Sequence, residues 1–475
     1  MTQQIYDVAI IGAGPAGLAA ASELVAREAK IVLLDEQARP GGQITRQPPK
    51  GFTVKNWLRG NLYKDLKKML RDMEDHPGIN WRFSVTVSGV GKTDEDLFEV
   101  WYQDEQGLHS LTARRMLVAT GCYERPLVFP GATVPGVMGT GAIQTLLKSQ
   151  QLLAGNRFVF TGAHPLQMIV AEQVLATGGK VEAVLFAQPF SRFTELFKHL
   201  SVPLTHWNVL LAAGRAFLRL KRAGVPVLFG RAVTRVEGQG VIDRIEVAPV
   251  SAQGEIIEGP HDYFEADRLG LCYGFQVSSE LARQVGAESY WSGHRGGWLI
   301  HHDGFGQSSL PGLFVAGEVT GMAGADAGMA EGHIAGLGLL RSLDLLDERS
   351  SVRLVVPFRK QLRRHLRFAR YLSDFSRLPP KLATSLRTDD SLLCRCENIK
   401  CSDLKTILRG NPRLGRSGSI KLQSRIGMGL CQGRLCYANF ADLVSDQTGK
   451  SPEDIGPFQA QWPAKPLLIS DIIKK

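Results

Sequence analysis

The sequence predicts an α/β fold: two dinucleotide-binding units in one chain, followed by a small helical C-terminal module. Three observations carry that expectation. A Gly-rich loop, GAGPAG at Gly12 to Gly17, stands between a buried-strand pattern and a helix pattern. The same strand–loop–helix–strand theme returns at 157–187. Four cysteines near the C-terminus, Cys394, Cys396, Cys431 and Cys436, form two tight pairs, C-R-C and C-Q-G-R-L-C. An internal repeat of the βαβ unit implies two nucleotide-binding domains.

The first unit reads in order. DVAII is an uninterrupted apolar run, the pattern of a parallel strand buried on both faces. PAGLAAASELVAR is a helix with small residues toward the sheet, and KIVLLDE is a second strand ending in acid. In the G-x-G-x-x-G loop, Gly12 makes the tight turn. Gly14 lets a pyrophosphate approach the backbone. Gly17 lets helix and sheet pack closely, and the helix N-terminus at Pro15 and Ala16 stabilises phosphate charge. Asp35, 23 positions after Gly12, is placed to accept bonds from ribose hydroxyls, with Glu36 beside it. A lone Gly motif is weak evidence; the strand before it, the helix after it and the acid beyond make it strong. Residues 80–120 alternate short strand patterns and polar turns. They read as a β-meander and a return strand that close such a domain.

The second unit departs from its own pattern. RFVFTG is a strand, AHPLQMIVAEQVLATGG a helix and KVEAVLF a strand. In TGAHPLQ only Gly162 is kept; His164 and Gln167 stand where the motif has glycine. Side chains there crowd the path of a pyrophosphate. The next strand ends LFAQ, with no acid for a ribose diol and no Arg cluster for a 2′-phosphate. A hydride donor such as NAD(P)H is therefore not expected; the site is open to a non-redox nucleotide or to none. Residues 190–225 read as helical and partly apolar, and 226–275 as strands. Residues 312–345 read as a strand, a Gly-rich turn and a small-residue helix. No C-x-x-C occurs in the flavin-type or middle region, so a dithiol relay is excluded.

Five of the seven cysteines, Cys401 included, lie between 394 and 436. A disulfide framework spreads its cysteines, whereas clustering points to metal binding. Cys122 and Cys272 stand alone and read as small buried thiols. Zinc sites prefer C-x-x-C pairs. C-x-C with C-x-x-x-x-C, 34 residues apart, fits a two-iron cluster better, with structural zinc and unligated thiols as the alternatives. Gly427, Gly429 and Gly433 free backbone N–H groups for the sulfurs. Ser402-Asp403 is expected to cap a helix starting at DLKTIL. The net charge of +10 is uneven: 351–475 holds 23 Lys+Arg against 10 Asp+Glu. Its densest part, FRKQLRRHLRFARYL at 358–372, reads as an amphipathic basic helix. It is taken as a docking face for a partner or an anionic acceptor rather than for nucleic acid. No apolar run approaches the ~18–20 residues that span a bilayer. A strand begins almost at the N-terminus, so a cytoplasmic protein is expected, peripheral to the inner membrane at most.

PGGQITR (40–46), LVATGCYERP (117–126) and GLFVAGEVTG (312–321) resemble the glutathione-reductase-like flavoproteins, which implies FAD rather than NAD in the first domain. ATG-x-YERP-x-x-FPG, the GGQI turn, VAGE and R-x-GMG-x-CQGR-x-C together resemble the A subunits of opine oxidases and of multi-subunit proline or hydroxyproline dehydrogenases. The B subunit of hydrogen cyanide synthase and part of the α subunit of sarcosine oxidase are similar. That resemblance implies an FAD site at Gly12, Gly14, Pro15, Ala16, Gly17, Asp35, Gln43, Thr120, Gly121, Gly317 and Glu318, and Glu36, Gly42, Arg46 and Val87 are further candidates for it. Glu318 stands where the flavoproteins usually carry Asp. It further implies a [2Fe-2S] cluster on the four cysteines in a BFD-like domain, and no catalytic acid or base in this chain. The implied partners are a second flavoprotein subunit that oxidises an amino-acid-like C–N bond, a quinone-like acceptor and a small third subunit. The expected domains are 1–150 and 276–345 for FAD, 151–275 for the second nucleotide-binding-like domain, 346–390 for a basic helical linker and 391–475 for the cluster.

Overall fold

The computed structural model describes residues 4–52, 54, 57, 63–192, 202 and 205–473. The chain divides into two compact units: the described residues of 1–123, 277–370 and 459–475, and those of 124–276 and 371–458.

The first unit opens with β1 (Ile5–Ile11), α1 (Pro15–Val25) and β2 (Ile31–Asp35). Val8, Ala9 and Ile10 are wholly buried, as a strand covered on both faces requires. Then come α2 (Lys64–Met73), β3 (Ile79–Phe83), β4 (Thr86–Lys92), β5 (Phe98–Asp104) and β6 (Gly107–Val118). β3, β2, β1 and β6 lie side by side and parallel, and β5 and β4 continue from β6 as the antiparallel meander read from 80–120.

The second unit repeats the theme. Its elements are β7 (Val137–Gly139), α3 (Thr140–Thr145), β8 (Arg157–Gly162), α4 (Leu166–Ala176), β9 (Lys180–Phe186), α5 (Trp207–Arg222) and β10 (Val227–Phe229). An antiparallel ribbon follows, of β11 (Arg231–Glu237), β12 (Arg244–Pro249) and β13 (Asp262–Phe264), and β14 (Arg268–Cys272) returns to the sheet. The parallel order is β10, β9, β8, β14, β7. Because β7 pairs with β14, the first break falls after Tyr123 rather than near residue 150.

The chain then completes the first unit with β15 (Leu313–Val315), parallel to β6, and α6 (Ala325–Ser342). α6 crosses α1 closely because both present small residues. A Cβ on Gly332 would sit 2.1 Å from Ala16 O, and one on Gly336 would sit 2.9 Å from Ala20 O. α7 (Glu348–Phe375) begins ten residues before the basic segment read from sequence and carries Pro357 within it. Its Leu354, Val355, Phe358 and Leu362 pack on the core of β1, α1 and α6.

The C-terminal part of the second unit holds β16 (Leu392–Cys394), β17 (Ile399–Lys400), α8 (Cys401–Gly410), α9 (Ser417–Ser424) and α10 (Tyr437–Thr448). α8 starts two residues earlier than the DLKTIL reading. Ser402 and Asp403 therefore lie inside its first turn, and Asp403 accepts the Lys400 N–H at 2.8 Å from within. Residues 459–475 belong with the first unit, where Ala464 N–H bonds to Ser88 O at 2.6 Å.

Candidate functional site

Gly12 has φ +107°, and a Cβ there would sit 2.4 Å from Ala119 O. A Cβ on Gly17 would sit 1.9 Å from Gly12 O. Both glycines are therefore obligatory for the turn and for helix–strand packing. Gly14 differs: its nearest neighbour would be Gly42 Cα at 3.8 Å, so the backbone beside it is open. No side chain caps α1, and the N–H groups of Gly14, Ala16 and Gly17 have no acceptor among the described residues. Helix N-termini left in that state attract anions.

The acid at the end of β2 braces this loop. Asp35 accepts the Ala13 N–H at 2.6 Å and the Gln37 N–H at 2.7 Å, one on each oxygen. A carboxylate oxygen can accept two bonds, so each keeps capacity for a ribose hydroxyl. Burial raises the Asp35 carboxyl above its ordinary range, opposed by those N–H groups and by Arg46 and Lys465. Glu36 is instead engaged by Lys465. Arg46 is half-buried, and its Nε is shielded from solvent without a hydrogen-bond partner among the described residues. An uncapped helix end and, near Asp35, a buried guanidinium N–H without a partner among the described residues fit a phosphate-bearing ligand, and these residues fit the group that the fold implies.

The remaining residues expected at the site lie close to the backbone. Gln43 is exposed on the turn at 41–45. Thr120 Oγ1 donates to Ser278 O at 2.5 Å, and Gly121 O accepts the Ser278 N–H at 2.9 Å. Val87 points into the core of the meander. Gly317, at φ +81°, donates its N–H to Glu331 Oε2 at 2.8 Å. Both oxygens of Glu318 are occupied: Oε1 by Gly324 N–H and Oε2 by Cys122 Sγ, each at 3.0 Å. Cys122 is thus part-exposed and hydrogen-bonded rather than a simple buried thiol.

Two residues escaped the sequence reading. Glu331 on α6 takes both the Gly317 N–H and the Thr320 hydroxyl at 2.8 Å, and burial pushes its carboxyl up to about 7. Arg295 donates to Thr320 O at 2.8 Å and lies against Gly321. An acid inside the small-residue stretch AEGHIAG was the signal available for the first. Nothing in sequence marked the second.

The equivalent loop of the second unit is filled. Ala163 and His164 N–H groups both bond Cys272 O, and Leu166 N–H bonds His164 Nδ1 at 3.2 Å. His164 therefore caps α4 with its own ring, packed edge-on against Phe275. Burial lowers its titration to about 4, so the ring is neutral. Gln167 is wholly buried and donates to Leu185 O at 3.2 Å. Gln188 is wholly buried too and donates to Ala163 O at 2.7 Å.

The second unit also gathers thiols. Cys394 and Cys436 are buried and hydrogen-bonded to each other, and Cys396, exposed, contacts Cys431. The Cys436 thiol, with the Gly427, Glu397 and Cys396 N–H groups, holds Cys394 down at about 6 against the effect of burial. Burial raises Cys431, which accepts Leu435 and Gly433 N–H groups. Phe458 and Cys396 explain the glycines: a Cβ on Gly433 would sit 2.4 Å from Phe458, and one on Gly429 2.2 Å from Cys396 Cβ. Cys401 is buried away from this set; burial pushes it up to about 11, and its charged neighbours are Arg387, Lys405, Asp389 and Asp403. Among the described residues, no three His, Cys, Asp or Glu side chains are grouped as a metal-ion site. The thiols pair two and two, with backbone N–H groups on the sulfurs.

Residues 6–332 match the pyridine nucleotide-disulphide oxidoreductase family. The opine oxidase A chain of Rhizobium meliloti is 29% identical over 98% of both proteins. Hydrogen cyanide synthase subunit HcnB of Pseudomonas aeruginosa is 30% identical over 97% of both. L-proline dehydrogenase from P. horikoshii shares the fold, at TM-score 0.70 and 20% identity, over 99% of this chain and 79% of that one. With an open dinucleotide cradle in its first unit and relatives of this kind along its length, the chain belongs to the pyridine nucleotide-disulphide oxidoreductase family, is similar to opine oxidase A subunits and HcnB, and is a flavin-type oxidoreductase.

Proposed function

We propose that the chain is the FAD- and [2Fe-2S]-containing electron-transfer subunit of a multi-subunit amino acid or imino acid dehydrogenase, of the opine, proline or hydroxyproline type. The observation that supports this reading is the pairing of Cys394 with Cys436 and of Cys396 with Cys431 in a chain that also has an open dinucleotide cradle. The α1 N-terminus and Arg46 hold the pyrophosphate, and Asp35 orients the ribose. Thr120, Gly121, Gly317 and Glu318 hold the turns around the flavin end. The four thiols hold the cluster, and the N–H groups of Gly427, Gly433 and Leu435 stabilise negative charge on sulfur. When bound, the flavin accepts an electron pair and the cluster passes electrons singly.

A second flavoprotein subunit removes hydride from the substrate C–N bond, a small third subunit completes the complex, and a quinone-like acceptor drains it. The relatives' own names, each a lettered subunit, support that division. The substrate pocket lies on the partner. The complex is cytoplasmic and peripheral to the inner membrane. The 30% identity to HcnB keeps a glycine-oxidising complex as the second reading. A stand-alone NAD(P)H reductase is disfavoured by the filled loop at Gly162 to Gln167.

Iron and acid-labile sulfide analysis of the purified chain, beside its absorption spectrum, tests the assignment. Cys431→Ser should lose most of the iron and sulfide while Cys401→Ser keeps both. Unchanged iron in Cys431→Ser would overturn the cluster ligands. Anaerobic NADH should leave the flavin band intact; bleaching would move the function to the stand-alone reductase.

A further inference from the structure

We propose that α5 is an interfacial helix that docks the chain onto an anionic bilayer surface. The helix carries two apolar faces where a soluble helix needs one. Its inner face, with Ala216 and Leu220 buried, packs into the core of β8, β9 and α4. Its outer face leaves Trp207 56%, Leu210 42%, Leu211 43%, Phe217 38% and Leu218 51% exposed. At 3.6 residues per turn these five, with Gly214 between them, share about a third of the circumference. From Val209 to Gly214 no side chain can hydrogen-bond.

The charges beside this seam have one sign. Residues 205–236 contain six Arg or Lys and no Asp or Glu. Arg219 pairs with Glu172; Arg215, Lys221 and Arg222 have no acidic partner among the described residues. A protein–protein interface pairs an apolar centre with a rim of mixed polarity that selects its partner. A seam of Trp, Leu and Phe on a helix whose own charges are all cations suits anionic lipid: the apolar edge enters the headgroup–acyl boundary and the cations meet the phosphates. The helix is about 24 Å long, enough to lie in the membrane plane. No helix among the described residues is long and apolar enough to cross a membrane, so the attachment is to one leaflet.

Co-sedimentation of the full purified chain with phosphatidylglycerol/phosphatidylcholine vesicles, against pure phosphatidylcholine vesicles, at low and high salt, tests this. The wild type should pellet with the anionic vesicles at low salt. Leu211→Glu with Leu218→Glu should weaken that binding at least about tenfold. Arg215→Glu with Lys221→Glu should remove the preference for anionic over neutral vesicles. All four side chains are solvent-exposed, so thermal melting should match the wild type, and the charge-reversed pair carries the test if the leucine variant melts early. Absence of wild-type binding to anionic vesicles, or binding that neither pair of substitutions weakens, would overturn the proposal. So would a concentration-dependent dimer that the leucine variant abolishes without any vesicle binding; α5 would then be a contact between copies of the chain.

Discussion

The two βαβ units of this chain have the same elements in the same order, and they treat the turn between first strand and helix in opposite ways. In the first, Gly12 to Gly17 leave helix N–H groups without acceptors among the described residues, and Arg46, near Asp35, leaves a buried N–H unpartnered among them too. In the second, His164 caps the helix, Cys272 O absorbs two loop N–H groups, and Gln167 and Gln188 fill the interior. Topology alone therefore does not make a nucleotide site. What decides is whether the loop's donors are left for a ligand or consumed by the protein itself.

The largest effect that would break this comparison is at the first loop. Gly17→Val drives a side chain into Gly12 O and should cost about 3 kcal/mol or more, with loss of bound flavin. Thermal melting and the flavin-to-protein absorbance ratio check it. Gln167→Gly empties a buried, hydrogen-bonded position in the second loop and should cost about 2 to 4 kcal/mol. Flavin content should stay unchanged, since that loop belongs to the other unit; a parallel loss of flavin would show that the loops are not independent.

The pH dependence of the first unit sharpens the contrast. Glu331 titrates at about 7 in the fold against 4.5 in the free chain, because burial disfavours its charged form. The folded state holds the proton more tightly, so this group's contribution is intact below 4.5. It is lost by about 3 kcal/mol as pH rises through 7. Melting temperatures followed between those values should fall for the wild type and stay flatter for Glu331→Gln. The smallest effect is at Arg46. Arg46→Met should weaken flavin retention about 10- to 100-fold while changing apoprotein stability by less than ~0.5 kcal/mol. Equal losses in both would make Arg46 a structural residue.

Much of this was legible beforehand. The Gly loop, Asp35 and the two βαβ units follow from local patterns, because backbone sterics and helix–strand packing restrict those positions to few residue types. The cysteines were legible as two pairs along the chain, yet their spatial partners were not: Cys394 meets Cys436 across the intervening helices, and Cys401 is turned aside into α8. Glu331 and Arg295 were missed since their partners, the turn at Gly317 to Gly321, lie in another element.

By itself the sequence determined the βαβ elements, the glycines that allow the loop and the two close cysteine pairs along the chain, all properties of residues near one another in sequence. Only the tertiary structure decided that Asp35 braces the loop it serves, that His164 closes its own helix, that Glu331 is buried enough to titrate near neutrality, and that α5 keeps an apolar face in solvent. Each of these depends on which distant backbone groups and side chains arrive beside the residue. Desolvation and hydrogen-bond competition are set by those neighbours and not by the residue's own type.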